Sequence, residues 1–150
     1  MNFQVRPVRE NELDALLALY QYLHVDDEAP PQRRLKVLWH QILNDSNLYY
    51  LAGDVDGRMV SSCTLAVIPN LTRGGRPYGV VENVVTHPDH RGNGFATAVL
   101  KHALALAWKH GCYKVMLLTG RSDEHVLRFY ENAGFERDLK TGFIAYPSGE

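Results

Sequence analysis

Two different hydrophobic periods divide the first half of the chain into predicted helices and strands. A short strand is predicted at Phe3–Pro7, and Asn11 is the predicted N-cap of the helix that follows. From residue 48 the composition becomes typical of strands, and Asp56-Gly57 predicts the tight turn of a β-hairpin between Leu48–Val55 and Arg58–Val67. Two apolar stripes at helical spacing precede the hairpin, separated by an acidic, proline-containing segment. They are Leu13, Leu16, Leu17, Tyr20 and Leu23, then Leu35, Leu38, Trp39, Ile42 and Leu43.

The second half alternates strands and helices after a flexible, basic loop at Pro69–Gly79. Leu104 and Trp108 belong to the apolar stripe of the long helix and are predicted core residues, and Gly111 is its predicted left-handed end. The order βααβββαβαββ predicts one α/β domain over residues 1–150, built on a mixed sheet. The predicted elements are a strand at Val80–Val85, a helix at Gly94–His110, a buried strand at Val115–Leu118, a helix at Asp123–Ala133, and final strands at Phe135–Arg137 and Gly142–Tyr146.

Composition narrows the classes of function. A chain of 150 residues with 45% hydrophobic residues is long enough to bury a core without disulfides or metal. The formal net charge is -1, with basic and acidic residues interspersed, so neither a nucleic acid nor a membrane surface is an expected partner. The absence of a leader-like or long apolar segment predicts a soluble, cytoplasmic protein. Cys63 and Cys112 form no CxxC motif and are predicted to be buried small hydrophobes.

The segment 84–97 carries the most informative pattern, a strand followed by a glycine-containing turn and a helix start. Gly92 and Gly94 allow close approach of the backbone to a ligand, and the first-turn N–H groups of the helix suit phosphate oxygens. The dinucleotide-binding fingerprint requires a glycine where this chain has Thr97, and no P-loop sequence occurs. The pattern therefore predicts an anion cradle, with a tight turn that binds no ligand as the alternative.

Two motifs resemble the GNAT superfamily of acetyl-CoA-dependent N-acetyltransferases. The run 91–96, Arg-Gly-Asn-Gly-Phe-Ala, matches the superfamily signature Arg/Gln-x-x-Gly-x-Gly/Ala, and His87-Pro88 before it is common there. The run 122–135 resembles the second motif, a helix followed by Tyr and Gly-Phe. The first half is similar in topology only. The resemblance implies an N-acetyltransferase with a mixed, mostly antiparallel sheet flanked by helices.

By that resemblance, the strand backbone at 84–86 pairs with the pantetheine arm of acetyl-CoA, and the turn at 92–97 holds the pyrophosphate. Tyr130 faces the coenzyme A sulfur as general acid, the alternative being a core tyrosine beside Leu127 and Phe129. Asp123 stands where the family has Asn, and an ionised Asp accepts hydrogen bonds but cannot donate them. The residues expected to bind the cofactor are Val84, Val85, Thr86, Arg91, Gly92, Asn93, Gly94, Phe95, Ala96, Thr97 and Asp123.

The reaction needs a proton acceptor. An alkylamine with a pKa of about 10.4 is only roughly 0.04% neutral at pH 7, and only the neutral amine attacks a thioester. Glu82 is the expected base, acting directly or through a water, and the alternative is a surface glutamate. It resembles the glutamate at this place in glucosamine-6-phosphate N-acetyltransferases and in some histone acetyltransferases. Full proton transfer from Tyr130 to a thiolate is uphill by roughly 2 kcal/mol, which favours hydrogen-bond donation.

The acceptor is the least determined feature. Segment 60–85 resembles glucosamine-6-phosphate and aminoalkylphosphonate N-acetyltransferases, which implies a small amine bearing an anion, with Arg73 or Arg76 as the anion's partner. Alternatives are a protein N-terminus or lysine, if the acidic residues 26–28 line the cleft, and a non-catalytic acetyl-CoA-binding domain. A homodimer is one expected assembly. His87 and His90, around Asp89, have no further ligands spaced with them, so no metal site is expected.

Overall fold

The computed structural model describes residues 1–149 and contains a five-stranded sheet with helices on both faces. The strands are ordered β1-β2-β3-β4-β5; the first four are antiparallel, and β5 runs parallel to β4. In chain order, the elements are β1 (Phe3–Pro7), α1 (Leu13–Tyr20), α2 (Gln32–Leu43), β2 (Leu48–Val55), β3 (Arg58–Ile68), β4 (Tyr78–Thr86), α3 (Phe95–Lys109), β5 (Val115–Met116) and α4 (Glu124–Asn132). The mixed, mostly antiparallel sheet predicted from the sequence is confirmed.

Alternation along the strands produces a core on each face of the sheet. Cys63 and Leu65 of β3 belong to the larger core together with Leu100 and Ala103 of α3, and Cys112 is buried there as predicted. The second core holds Leu16 of α1, Trp39 of α2 and Ala52 of β2. In the described part of the chain, no helix is long and apolar enough to cross a membrane.

The β2–β3 hairpin turns where the sequence predicts it. Asp56 and Gly57 have φ angles of 52° and 87°, the two positive values that a tight two-residue hairpin turn requires. The Asp54 carboxylate accepts the Gly57 N–H at 2.6 Å and is bound at 2.8 Å by the Arg6 guanidinium. The turn is therefore tied to β1 through a buried ion pair.

The predicted N-cap at Asn11 is wrong. A 3₁₀ turn at Glu10–Glu12 precedes α1, and the Glu12 carboxylate accepts the Arg9 N–H at 2.8 Å. Glu12 also receives two hydrogen bonds from Arg6, at 2.7 and 2.8 Å. Because Glu12 binds both the backbone and a buried guanidinium, it stabilises the turn that leads into α1.

The predicted flexible loop at Pro69–Gly79 is shorter and held by hydrogen bonds. Strand β4 begins at Tyr78, and a 3₁₀ turn occupies Arg73–Gly75. The Asn70 side chain donates to the carbonyls of Thr72 and Arg76, at 3.2 and 3.0 Å. These bonds close the loop on itself, which glycine content alone does not reveal.

Strand β5 is shorter and less buried than the predicted strand Val115–Leu118. Val115 and Met116 pair with Gly79 and Val80, and the chain then leaves β4, so that Leu118 is exposed. A strand that diverges from its neighbour loses both its ladder and its cover. The divergence opens the cleft described below.

The two final strands, predicted at Phe135–Arg137 and Gly142–Tyr146, are absent from the described residues. Phe143 is 89% exposed and Ile144 is 64% exposed, because neither segment pairs with a strand of the same chain. The core assignment of Trp108 is also wrong, since its side chain is 51% exposed. Its neighbour Ala107 lies on the buried face of α3, and a step of one residue turns a helix by about 100°.

Candidate active site

A cleft of about 820 Å³ lies where β4 and β5 diverge. Its walls are β4, the segment after α1, the turn before α3 with the first turn of that helix, the loop after β5, and α4. Most of the predicted site residues meet there. Those that line the cleft are Glu82, Val84, Val85, Thr86, Arg91, Gly92, Gly94, Phe95, Ala96, Thr97 and Tyr130.

A bulge in β4 shapes the deep part of the cleft. Thr64 of β3 pairs with Glu82 and Ser62 pairs with Val85, so Asn83 and Val84 together oppose Cys63 alone. Asn83 has a φ of 54°, a left-handed conformation that asparagine tolerates better than most residues. The extra residue interrupts the ladder with β3 and redirects the side chains that follow it.

The other edge of β4 is open along the cleft. Within residues 1–149, β5 pairs only with Gly79 and Val80, so the backbone from Val81 to Thr86 has no strand partner on that side. The Thr86 carbonyl accepts a hydrogen bond from Arg91 Nε at 3.1 Å. An extended ligand chain can therefore hydrogen-bond to this edge as an added strand would.

The turn before α3 has the features of an anion cradle. Gly92 and Gly94 have φ angles of 78° and 79°, which favour glycine, and a Cβ at either position would meet no atom within 4 Å. Core packing therefore does not explain the two glycines. The N–H groups of the first turn of α3 lack intrahelical acceptors, and the residues that carry them line the cleft. Asn93 does not line the cleft; its side chain donates to the carbonyls of His90 and Arg91, at 3.1 and 3.2 Å, and so shapes the turn.

Tyr130 and Glu82 lie at the opposite end from the cradle. Tyr130 is half-buried on α4, with its ring edge-on to Phe129 and Phe135 at centroid distances of 4.9 and 6.4 Å. Burial raises the pKa of the Tyr130 hydroxyl above 10, and the negative charge of Glu82 contributes in the same direction. The phenol therefore stays protonated and can donate a hydrogen bond. The Glu82 side chain is exposed and can accept a proton.

Asp123 does not line the cleft. Its carboxylate accepts from Arg121 Nε and Nη2 at 3.1 and 3.0 Å, and lies 2.9 Å from Nδ1 of His125. Arg121 and His125 themselves line the cleft, and the sequence analysis missed both. Their position beside the residue that replaces the family's Asn was the available signal.

The segment after α1 contributes Tyr22, Leu23 and His24 to the cleft, which the sequence analysis also missed. The Tyr22 hydroxyl lies 3.3 Å from Nε2 of His87, which follows β4. Nδ1 of His87 accepts the Asp89 N–H at 3.1 Å, so a neutral His87 carries its proton on Nε2 and donates to Tyr22. No signal in the sequence relates Tyr22 to His87, because the two are 65 positions apart.

Arg73 and Arg76 lie outside the cleft. The Arg76 guanidinium donates to the carbonyls of Gly111 and Cys112, at 3.3 and 3.2 Å, and Arg73 stacks over the ring of Tyr113 at 5.6 Å. Their role in binding an acceptor anion stays a prediction. The acidic residues 26–28 do not line the cleft either. Among residues 1–149, no three His, Cys, Asp or Glu side chains form a group that could hold a metal ion.

Comparison with known proteins gives consistent matches. The model of the acetyltransferase (GNAT) family matches residues 14–135. A glucosamine 6-phosphate N-acetyltransferase from Trypanosoma brucei brucei is 34% identical, over 93% of this chain and 95% of its own. A putative acetyltransferase from Agrobacterium tumefaciens str. C58 superposes with a TM-score of 0.90 at 39% identity, covering 96% and 99% of the two chains. The structure of AAC(6')-Iy with a CoA-containing bisubstrate analogue has a TM-score of 0.80 at 16% identity, over 98% and 99%.

Proposed function

Because this chain belongs to the GNAT acetyltransferase family and is an N-acetyltransferase, we propose that it transfers the acetyl group of acetyl-CoA directly to the amine of a small molecule bearing an anion. The cleft between β4 and β5 is the proposed site of the reaction. The observation that carries the proposal is the pairing of an anion cradle at one end of this cleft with Glu82 and Tyr130 at the other.

The cleft has the features that acetyl-CoA requires. The open edge of β4 at Val84–Thr86 suits the amides of the pantetheine arm, and the turn at Gly92–Thr97 suits the diphosphate. Arg91 adds a formal positive charge beside that turn. A structural neighbour with this fold, AAC(6')-Iy, has been solved with a CoA-containing analogue, which supports the same use of the fold here. When bound, acetyl-CoA supplies the thioester carbonyl that the acceptor amine attacks.

Glu82 and Tyr130 have complementary roles in the proposed reaction. The carboxylate of Glu82 accepts the proton that the acceptor ammonium must lose before its nitrogen can attack, either directly or through one water. The neutral hydroxyl of Tyr130 donates a hydrogen bond to the sulfur as negative charge develops there. Val84 lies in the bulge of β4 and lines the same cleft.

A small anionic amine is the acceptor that the observations favour. The relative from Trypanosoma brucei brucei is named for glucosamine 6-phosphate, a molecule with one amine and one phosphate. The acidic residues 26–28 lie outside the cleft, so nothing in the cleft favours a basic peptide over a small molecule. Arg73 and Arg76 remain candidate partners for the acceptor's anion, although they do not reach the cleft within one copy of the chain.

A homodimer is part of the proposal. Phe143, Ile144 and Tyr146 are exposed, and the outer edge of β5 is unpaired in the described residues. A second copy of the chain would cover these side chains and satisfy this edge. Sedimentation velocity should give a dimer, and Phe143→Ser with Ile144→Ser should shift it to monomer; a monomeric unmodified chain would contradict the assembly. A cytoplasmic location stays a prediction.

The test of the proposed function is thiol release from acetyl-CoA with a panel of amines. Glucosamine 6-phosphate and an aminoalkylphosphonate should be the best acceptors, and glucosamine without its phosphate should be poor. A lysine peptide and a peptide with a free N-terminus should be poorer still, and Glu82→Gln should slow every productive pair. Faster turnover of either peptide than of both anionic amines would overturn the acceptor class.

A further inference from the structure

The two ends of the cleft differ in charge. Strands β4 and β5 are parallel, so the segments that follow them leave from the same end of the sheet. Arg91 follows β4 and Arg121 follows β5, and both line the cleft at this end, which we call the mouth. Tyr130 lies seven residues beyond Asp123 on α4, about 10 Å away along the helix axis at the helical rise. The mouth therefore holds two guanidinium groups, and the deep end holds the carboxylate of Glu82.

Asp123 fixes the Arg121 guanidinium without using all of its donors. A guanidinium has five N–H groups in a planar fork, and Asp123 takes one from Nε and one from Nη2. Three N–H groups are left for a ligand. Arg121 lines the cleft and Asp123 does not, so the ligand contact is assigned to the guanidinium and not to the carboxylate. This arrangement reduces the side-chain freedom that Arg121 would lose on binding.

The phosphates of coenzyme A make different demands. Its diphosphate is a chain of singly charged groups that suits the main-chain N–H groups of the turn before α3. The phosphate on the ribose 3′ oxygen is a monoester, with a charge of about −1.5 to −2 at pH 7 and three acceptor oxygens. Such a group pairs most strongly with a guanidinium, because charge and fork geometry both match.

We propose that Arg121, positioned by Asp123, binds the 3′-phosphate of coenzyme A at the mouth of the cleft, and that this contact makes the enzyme select coenzyme A over its 3′-dephospho form. This inference rests on the proposed binding of acetyl-CoA. In this role Asp123 acts through Arg121 and does not touch the cofactor: both carboxylate oxygens bind the guanidinium, whereas an amide offers it one uncharged acceptor oxygen.

The test is calorimetric titration of the intact protein with coenzyme A and with 3′-dephospho-coenzyme A. The unmodified protein should bind coenzyme A at least about ten-fold more tightly, the effect of one charge-assisted contact. Arg121→Gln should lose that preference by weakening coenzyme A alone, with 3′-dephospho-coenzyme A unchanged. Asp123→Asn should lose part of it. Arg128→Gln is the matched control, because Arg128 is an exposed cation of α4 that does not line the cleft.

Three results would overturn the assignment. Equal affinity of the unmodified protein for the two ligands would remove the selectivity itself. Equal weakening of both ligands by Arg121→Gln would mean that Arg121 contacts a part that the two molecules share. No weakening of either would mean that Arg121 does not contact the cofactor. Failure of the unmodified protein to bind either ligand is a separate result, and it would refute the proposed binding of acetyl-CoA together with this inference.

Discussion

Replacing Tyr130 by Phe removes the hydroxyl proposed to face the leaving sulfur and keeps the ring packed against Phe129 and Phe135. An ordinary tyrosine, with a pKa of about 10, gives a proton to a thiolate of pKa about 8.5 only at a cost of roughly 2 kcal/mol. Burial raises the pKa of Tyr130 further, so the cost is larger here. Tyr130 should therefore act as a hydrogen-bond donor that keeps its proton.

The expected size of the Tyr130→Phe defect follows from that role. A hydrogen bond to a charged group contributes about 1.5–3 kcal/mol, which corresponds to a loss in kcat of roughly 10- to 150-fold. Because burial raises the pKa of Tyr130 above that of an ordinary tyrosine, the phenol keeps its proton, and the defect should be nearly constant from about pH 6.5 to about pH 9.5. Thiol release with the best acceptor, measured across this range, gives both quantities.

Two comparisons make the Tyr130 prediction refutable. An acyl donor whose thiol has a lower pKa should shrink the defect, because its sulfur needs less stabilisation. Tyr113→Phe, at a tyrosine outside the cleft, should leave kcat unchanged. A loss in kcat below about two-fold in Tyr130→Phe, or a loss that disappears at high pH, would refute the role of Tyr130 as hydrogen-bond donor to the sulfur.

Three further changes test other parts of the account. Glu82→Gln should lower turnover most near about pH 7, and turnover should recover in part near about pH 9.5, where more of the amine is neutral. A pH profile of turnover parallel to that of the unmodified enzyme would contradict the role of Glu82 as base. Gly94→Val should weaken coenzyme A binding, measured by calorimetric titration, at least about ten-fold. Gly57→Val is the control: it introduces similar backbone strain, at a φ of 87° in the remote hairpin turn, and should leave coenzyme A binding unchanged. The Arg6 guanidinium holds the pKa of Asp54 and of Glu12 below the ordinary range, so the stability that this cluster contributes is present above about pH 4 and lost as the pH falls through the lowered values. Arg6→Met should therefore lower the free energy of unfolding, measured in urea, by roughly 3–5 kcal/mol at neutral pH, and it should reduce the further loss of stability at acid pH. An unchanged free energy of unfolding would contradict the cluster's role.

Local patterns in the sequence predict the elements that depend on local interactions. The hairpin turn at Asp56-Gly57 and the left-handed glycine at 111 have the predicted backbone conformations. Helix α2 contains the predicted apolar stripe, and α3 and α4 begin and end one residue inside the predicted bounds. Each of these features needs only neighbouring residues and the face on which they lie.

Features that depend on distant partners are not predictable in this way. The segment 142–146 has the composition of a strand, but a strand forms only beside another strand, and within residues 1–149 this segment pairs with none. Strand β5 stops at Met116 because the chain leaves β4 to form a wall of the cleft. The contacts of Asp123 with Arg121 and His125 depend on side-chain directions in the loop after β5. Sequence patterns therefore indicate where the site lies. They do not indicate which side chains contact a ligand and which only position another side chain.

A crystal structure of the protein with coenzyme A tests the central claim most directly. We expect the diphosphate to accept hydrogen bonds from the main-chain N–H groups of the turn at Gly92–Thr97. We also expect the pantetheine arm to lie along β4 at Val84–Thr86, with the sulfur within hydrogen-bonding distance of the Tyr130 hydroxyl. Coenzyme A bound outside the cleft, or bound in the reverse direction with its sulfur at the mouth beside Arg91, would contradict the account.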